Sequence, residues 1–184
     1  RTGDGGTVEL TFYATDGYSW DENELDEISI VSDIIFNAFR VENMSKLLDK
    51  AMTTDLAVDI PNVSGFMRVV SEKLARGLLS EYIGVYFNIH NFKYVNNVLP
   101  HVKADEVMVL YVDAVKNATA ADEIVARLGG DNFVALIHAV NIDRFINVIS
   151  DINIVYKDEN AVKKFHFGAT IGAAKLTDIS RGGE

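Results

Sequence analysis

The first fifty residues change from a two-residue hydrophobic period to a helical one. Residues Thr7 to Ala14 (TVELTFYA) alternate and are rich in β-forming side chains, which predicts a strand that ends in a turn at Asp16 and Gly17. From about Asp21 to Lys50 the apolar residues recur at helical spacing without Pro or Gly, which predicts one long helix. A lone strand and one helix cannot form a stable domain, so we expect these elements to end an upstream domain and to connect it to the next.

The apolar surface of this helix is wider than one stripe. The main row holds Leu25, Ile28, Val31, Ile35, Ala38 and Val41, and a second row beside it holds Ile30, Ile34, Phe36 and Phe39. Such a helix needs cover on more than one side, which predicts a homodimer that pairs through it. The alternative is a helix that packs only on its own chain.

After Thr53 the pattern alternates between helices and strands. It predicts a helix that ends near Leu79, strand 82–89, a helical stretch broken by Pro100, helix 104–119, strands 123–129 and 133–139, helix 141–152 and strand 164–176. The β-α-β-β-α-β order is typical of a ferredoxin-like α/β (α+β) fold, with a mostly antiparallel central sheet and helices on one of its faces.

Composition and charge narrow the choice of partners. The net charge of -10 repels polyanions, so we expect no nucleic-acid partner. The chain has no cysteine and no apolar run of membrane-spanning length, which fits a cytoplasmic protein without direct membrane contact in this segment. A small phosphorylated ligand remains compatible with the charge, because a local lysine or metal ion outweighs a distant net charge.

Two polar clusters follow strands that are predicted to be central. Residues 88–93 (NIHNFK) end the strand 82–89, and Gly129 to Asn132 (GGDN) form the tip of the next hairpin. If these strands are neighbours, both clusters meet at one edge of the sheet, where a glycine-bearing loop can approach a phosphate closely. On its own, the Gly-Gly-Asp sequence is an ordinary turn.

Together the clusters resemble the diguanylate cyclase (GGDEF) family, over about Asp55 to Asp178. The segments that carry the resemblance are FNIHNFKYVNNVLPHVKADEVM, ARLGGDNF, DLAVDIPNVSGF at 55–66 and ATIGAA at 169–174. The family has a palm-type fold, and its active bacterial members join two GTP molecules into cyclic di-GMP with two Mg²⁺ ions. The strand and helix before Thr53 resemble the end of a GAF or PAS-type sensor domain.

The resemblance places amides at two of the three metal-binding carboxylates. Asn88 falls on the first metal Asp and Asn132 on the Glu of the hairpin, while Asp131 keeps the remaining acid. Each charge lost beside a cation weakens the attraction by roughly 4 kcal/mol at an effective dielectric of about 20, or about three decades in rate if it is felt in the transition state. The resemblance therefore implies that catalysis is lost.

The nucleotide-binding positions are better preserved. Asn96 and Asp105 fall on the residues that contact guanine, Lys93 falls beside the phosphates, and Phe92, Gly129 and Gly130 complete the loops. Their alternatives are a capping Asn, a surface Asp and a solvated Lys. If a nucleotide binds, the resemblance implies GTP with Mg²⁺; otherwise no cofactor is expected.

Other positions depart from the family pattern. His90 replaces the second strand-end Asp and could respond to pH, while Pro100 and Ala104 replace glycines. The inhibitory product site, Arg-x-x-Asp, corresponds to residues 120–123, where Ala120 replaces the Arg. Without a guanidinium fork, we expect no cyclic di-GMP at that site. We expect structural roles for the other histidines, His101, His138 and His166.

The sequence thus predicts two segments. Residues 1–52 are expected to be the end of a GAF/PAS-like sensor domain with its connector helix, and residues 53–184 a degenerate GGDEF domain without its last helix. Its expected role is a non-catalytic regulatory and dimerising module in a larger protein, for example one with an EAL-type phosphodiesterase, and such a protein could be membrane-attached. The alternatives are a weak diguanylate cyclase and a scaffold that binds no nucleotide. The upstream signal, any following domain and the organism stay open.

Overall fold

The computed structural model describes residues 9–15, 17–158 and 161–176. It separates into two compact units that divide between Lys50 and Ala51. Thr7, Val8 and Asp16 of the predicted strand and turn lie outside the described residues, as do the residues after Leu176. The rest of the predicted strand, 9–14, is not in a strand. The alternating pattern was misleading there because no other strand of the described chain pairs with it.

The predicted long helix is confirmed as α1 (Glu22–Thr53). It begins with a reciprocal cap, in which the Glu24 N–H donates to Asp21 Oδ1 over 2.9 Å and the Asp21 N–H donates to Glu24 Oε2 over 3.0 Å. No residue of α1 is buried. Among the α1 residues of the first unit, only Glu24, Ile28, Ser32 and Ile35, on one side of the helix, are half-buried. No helix in the described ranges is both long and apolar enough to cross a membrane.

A four-stranded antiparallel sheet is the centre of the second unit. The elements in chain order are β1 (Thr54–Asp55), β2 (Ile60–Pro61), α2 (Val63–Ala75), β3 (Tyr82–Ile89), α3 (Phe92–Val98), α4 (His101–Asn117), β4 (Ile124–Gly129), β5 (Asn132–His138), α5 (Ile142–Ser150), β6 (Ile152–Asp158), β7 (Ala161–Phe167) and β8 (Ala169–Lys175). The sheet order is β4-β5-β3-β8, and β1–β2 and β6–β7 form separate pairs. This order confirms the mixed α/β, mostly antiparallel fold.

Helices cover both faces of the sheet, so the prediction that they lie on one face was wrong. The main core joins alternate residues of β3 and β5, such as Phe87 and Phe133, to α4 and α5. On the opposite face, Leu136 of β5 and Tyr82 of β3 pack with Phe66 of α2 in a smaller cluster. Both faces of β5 are therefore apolar, which explains its continuous hydrophobic run.

The start of α2 is fixed by two residues of the DLAVDIPNVSGF segment. Asn62 caps the helix by accepting from the Gly65 N–H over 3.1 Å, and its amide donates to the Met52 carbonyl over 3.0 Å. A Cβ at Gly65 would lie 2.2 Å from the Thr53 carbonyl oxygen. The Asn and the Gly of this segment are thus needed for the close approach of α2 to the end of α1.

The C-terminal third differs most from the prediction. The expected strand 164–176 is two strands that separate at Gly168, because β7 pairs with β6 while β8 pairs with β3. Strand β6 was missed, since its first residue, Ile152, continues the helical row of Phe145 and Ile149 and so extends the predicted helix into the strand. Near the front of this unit, the two-residue strands β1 and β2 were also not predicted.

Candidate functional site

The strand register brings the two polar clusters to one edge of the sheet. Asn88 of β3 lies opposite Asn132 of β5, and the Ile89 N–H donates to the Asp131 carbonyl over 2.9 Å. Between β4 and β5, Gly129 and Gly130 have φ angles of +132° and +58°. These values favour glycine, so the tip keeps its shape only with the Gly-Gly sequence.

A network of amides connects this edge. Asn132 Oδ1 accepts from the Asn88 amide over 3.1 Å and from the Tyr86 hydroxyl over 2.5 Å. The amide of Asn132 donates to Asp131 Oδ1 over 3.2 Å. The Asn88 amide also reaches the carbonyl oxygen of Asp131 over 3.4 Å. Each of these side chains is therefore bonded to another member of the network.

The network does not fit a pair of Mg²⁺ ions. Hard cations take several oxygen ligands, preferably from carboxylates, and Asp131 is the only carboxylate of this network. The Oδ1 atoms of Asn132 and Asp131 already accept hydrogen bonds. No group of three or more His, Cys, Asp or Glu residues in the described chain is arranged to hold a metal ion.

A cavity of about 400 Å³ opens beside the hairpin tip. It is lined by Phe92, Lys93, Asn96, Asp105, Arg127, Gly130 and Asp131. The side chains of Lys93, Asn96 and Asp105 make no hydrogen bond or ion pair within the described residues, so their polar groups are available to a ligand. The structure thus brings together most of the residues that were predicted to bind a nucleotide, whereas Gly129 and Asn88 lie outside the cavity wall.

Sequence analysis missed Arg127, the remaining residue of the cavity wall. Its Nε donates to the Gly130 carbonyl over 2.9 Å, and its Nη1 lies 3.3 Å from Asp55 Oδ2. Both side chains of the ion pair are largely buried, at 15% and 21% exposure. Arg127 therefore braces the glycine turn. The available signal was its position in ARLGGDNF, two residues before the glycines.

Two other candidate positions lie away from the cavity. The His90 ring contacts the Thr170 hydroxyl of β8, and the backbone N–H of His90 donates to the Gly168 carbonyl over 2.8 Å. It does not line the cavity that holds Asp131. His101 begins α4 directly after its capping residue, Pro100, and is exposed. The possible pH response of His90 stays a prediction.

Comparison with known proteins decides the family. A family model described as "Diguanylate cyclase, GGDEF domain" matches residues 52–181. The chain belongs to the GGDEF domain family. Uncharacterized proteins of Mycobacterium tuberculosis and Mycobacterium bovis are 24% identical over 118 residues, or 64% of this chain. The match spans only 19% of the length of these relatives.

Solved GGDEF structures share the fold. The coiled coil and GGDEF domain of DgcB from Caulobacter crescentus, in complex with c-di-GMP, is 17% identical with a TM-score of 0.63, over 79% of this chain and 80% of that one. The diguanylate cyclase SiaD from Pseudomonas aeruginosa, in complex with its activator SiaC, is 19% identical with a TM-score of 0.56, over 82% of this chain and 59% of that one. The GGDEF domain of PA1120 (YfiN or TpbB), also from Pseudomonas aeruginosa, is 26% identical with a TM-score of 0.53, over 65% and 73% of the two chains.

The segment 120–123 corresponds to the inhibitory site of GGDEF domains, and its carboxylates form hydrogen bonds within the chain. Glu123 is 9% exposed, and its Oε2 accepts from the Ala120 N–H over 2.7 Å. Its Oε1 accepts from the His138 N–H over 2.9 Å and from the Asn141 amide over 2.8 Å. Glu123 thus holds the chain before β4 against the end of β5.

The neighbouring Asp122 is also engaged. Its Oδ2 accepts from the Tyr82 hydroxyl over 2.9 Å, and that hydroxyl accepts from Lys73 Nζ over 2.8 Å. The hydrogen bond from Tyr82 is the main reason that the pKa of Asp122 lies below its ordinary value. With Ala120 in place of an Arg, these carboxylates face partners of their own chain.

The last two histidines lie in strand pairs away from the cavity. His138 Nε2 is 3.4 Å from Glu81 Oε2, while its Nδ1 is buried without a partner in the described chain. His166 Nε2 lies 2.9 Å from Asp151 Oδ1. Only one of the two ring nitrogens of His138 therefore has a partner in the described chain.

Proposed function

We propose that this chain is a non-catalytic GGDEF domain that acts as a regulatory and dimerising module of a cyclic di-GMP signalling protein and binds a guanine nucleotide. The observation that carries the proposal is the contrast between two halves of one site. The amides at the metal positions bond to each other, while the side chains of Lys93, Asn96 and Asp105 line a cavity and have no partner among the described residues.

Loss of catalysis is proposed from the chemistry of the hairpin tip. Transfer of a phosphoryl group needs cations that neutralise charge as it develops. Asn88 and Asn132 offer neutral oxygens, and Asn132 Oδ1 already accepts two hydrogen bonds. The rate cost of two missing charges, on the order of three decades each, leaves no useful turnover.

Guanine recognition is proposed from the pairing of an amide and a carboxylate in one cavity. A carboxylate accepts from the N1–H and exocyclic amine of guanine, and an amide can donate to a ring nitrogen or to the carbonyl. Adenine presents no N1–H and is therefore a poor partner for Asp105. Phe92 supplies an apolar part of the same wall.

Dimerisation is proposed from the exposed side of α1. Residues at the a and d spacing of a heptad repeat run along it, all of them uncharged and all but one apolar: Ile30, Ile34, Asn37, Val41, Met44 and Leu48. Their apolar members are 58–70% exposed. A second copy of the same helix would cover this seam. A polar Asn37 at a core position of a coiled coil fixes the register of the pair.

Calorimetric titration with GTP and ATP tests the nucleotide-binding part. We expect saturable binding of GTP, no binding of ATP, and at least about a tenfold loss in affinity on Asn96→Ala or Asp105→Asn, since each removes a base contact worth about 1.4 kcal/mol or more. Asn97→Ala is the matched control, because Asn97 is exposed and lies outside the cavity wall. Absence of GTP binding, or equal losses in the control, would leave only a scaffold function.

A further inference from the structure

At the hairpin tip, two side-chain oxygens and one carbonyl oxygen already accept hydrogen bonds from the protein. Asn132 Oδ1 accepts from Tyr86 and Asn88, and Asp131 Oδ1 accepts from the Asn132 amide. The Asp131 carbonyl accepts from the Ile89 N–H over 2.9 Å. To bind Mg²⁺ there, the chain would have to break several of these bonds and to turn N–H donors away from the cation. The neutral amide oxygens would bind the cation only weakly, so the free energy of Mg²⁺ binding would not offset the lost hydrogen bonds.

The charges of the cavity wall also give little net attraction for the phosphates of a nucleotide. Arg127 is held by Asp55 and by the Gly130 carbonyl, so its guanidinium is not free for a phosphate. The wall then offers the cation of Lys93 and the carboxylates of Asp131 and Asp105, of which Asp105 is assigned to the base in the proposed binding. A triphosphate beside them would be attracted by Lys93 and repelled by the carboxylates. Binding free energy must therefore come mainly from the base.

We infer that this cavity binds guanine nucleotides through the base, without a divalent cation, so that guanosine binds nearly as well as GTP. The inference rests on the proposed guanine binding and departs from the Mg²⁺–GTP pairing that the family resemblance implies. It also means that the site responds to the guanine-containing pool as a whole, because the number of phosphates adds little to the affinity.

Calorimetry of the unmutated chain tests this directly. GTP and guanosine are each titrated in excess Mg²⁺ and in excess EDTA, in buffers matched for ionic strength. We expect the dissociation constant of GTP to change by less than about threefold on removal of Mg²⁺, and guanosine to bind within about tenfold of GTP. Loss of GTP binding in EDTA would overturn the inference while leaving guanine binding intact. Failure of both ligands in both buffers would overturn the guanine-binding proposal and, with it, this inference.

A variant with carboxylates restored gives the opposite behaviour. In Asn88→Asp/Asn132→Glu the tip gains two anionic ligands and loses the amide donors. We expect Mg²⁺ to strengthen GTP binding by at least about tenfold in this variant and to leave guanosine unchanged. Circular dichroism checks that the variant is folded. An Mg²⁺ effect of the same size in the variant and in the unmutated chain would contradict the inference, because the amides would then not be its cause.

Discussion

The ring of Tyr111 lies in the main core between Phe133 and Phe167, with centroid distances of 6.1 and 5.5 Å. Its hydroxyl is fully buried and has no hydrogen-bond partner within the described residues, and burial raises its pKa above the ordinary range. A buried hydroxyl without a partner loses its hydration and gains nothing in return.

We expect Tyr111→Phe to raise the free energy of unfolding by about 1 kcal/mol, because it removes that unsatisfied group and keeps the ring. Tyr156→Phe is the matched control. The Tyr156 hydroxyl donates to Glu106 Oε2 over 2.7 Å, so its loss should lower stability by about 1 kcal/mol. Urea unfolding followed by circular dichroism measures both. A loss of stability in Tyr111→Phe equal to that in Tyr156→Phe would show that the Tyr111 hydroxyl is satisfied.

Glu123 is the opposite case, since both oxygens of its carboxylate accept hydrogen bonds. Glu123→Ala would leave the Ala120 N–H, the His138 N–H and the Asn141 amide without their acceptor. We expect a loss of about 3 kcal/mol, because hydrogen bonds to a buried charged group are worth about 1.5–3 kcal/mol and are not additive. The exposed Glu72→Ala should stay within about 0.5 kcal/mol of the unmutated chain. Equal effects of the two changes would exclude a structural role for Glu123.

The residues of the cavity could be predicted because their order along the chain is informative. Asn96, Asp105 and Asp131 were selected through the resemblance to the GGDEF family, and the sheet register placed Asn88 opposite Asn132 as expected for neighbouring strands. The role of Arg127 could not be predicted, since its ion pair joins residues 72 positions apart. The direction of each amide in the network likewise depends on packing that no sequence period records.

Elements were predicted well where one hydrophobic period persisted, as in α1, α4, β3 and β5. Prediction failed where tertiary pairing decides the structure. At Gly168 the chain changes its partner from β6 to β3, which no local pattern marks. Residues 9–14 alternate like a strand without pairing in the described chain. Both failures arise because a strand is defined by its neighbour as well as by its own sequence.

The exposed apolar seam of α1 allows a test of whether two copies of the chain pair through this helix. We expect Ile34→Glu to shift the chain from dimer to monomer, because two carboxylates would then face each other at the core of the helix pair. The exposed Asn43→Glu on another side of the same helix is the control and should leave the dimer intact. Light scattering reports the mass, and circular dichroism confirms that the helix remains. A strictly monomeric unmutated chain at high concentration would contradict the pairing.

At the scale of the whole molecule, the exposed helix α1 precedes a GGDEF domain that has amides at two of the predicted metal positions. The net charge of -10 adds to the difficulty of binding two GTP molecules without cations. Both features support the proposal that this domain does not synthesise cyclic di-GMP. The match spans only 19% of the length of the Mycobacterium relatives, so the activity and partners of those whole proteins are not carried over to this chain.

Product formation from GTP is the measurement that tests this account most directly. The chain is incubated at high concentration with GTP and Mg²⁺, and in parallel with Mn²⁺, and the nucleotides are separated by chromatography over several hours. We predict no cyclic di-GMP above a control without protein, because amides stand at two of the metal positions. Steady accumulation of cyclic di-GMP that increases with protein concentration would contradict the account and would establish the chain as a weak diguanylate cyclase.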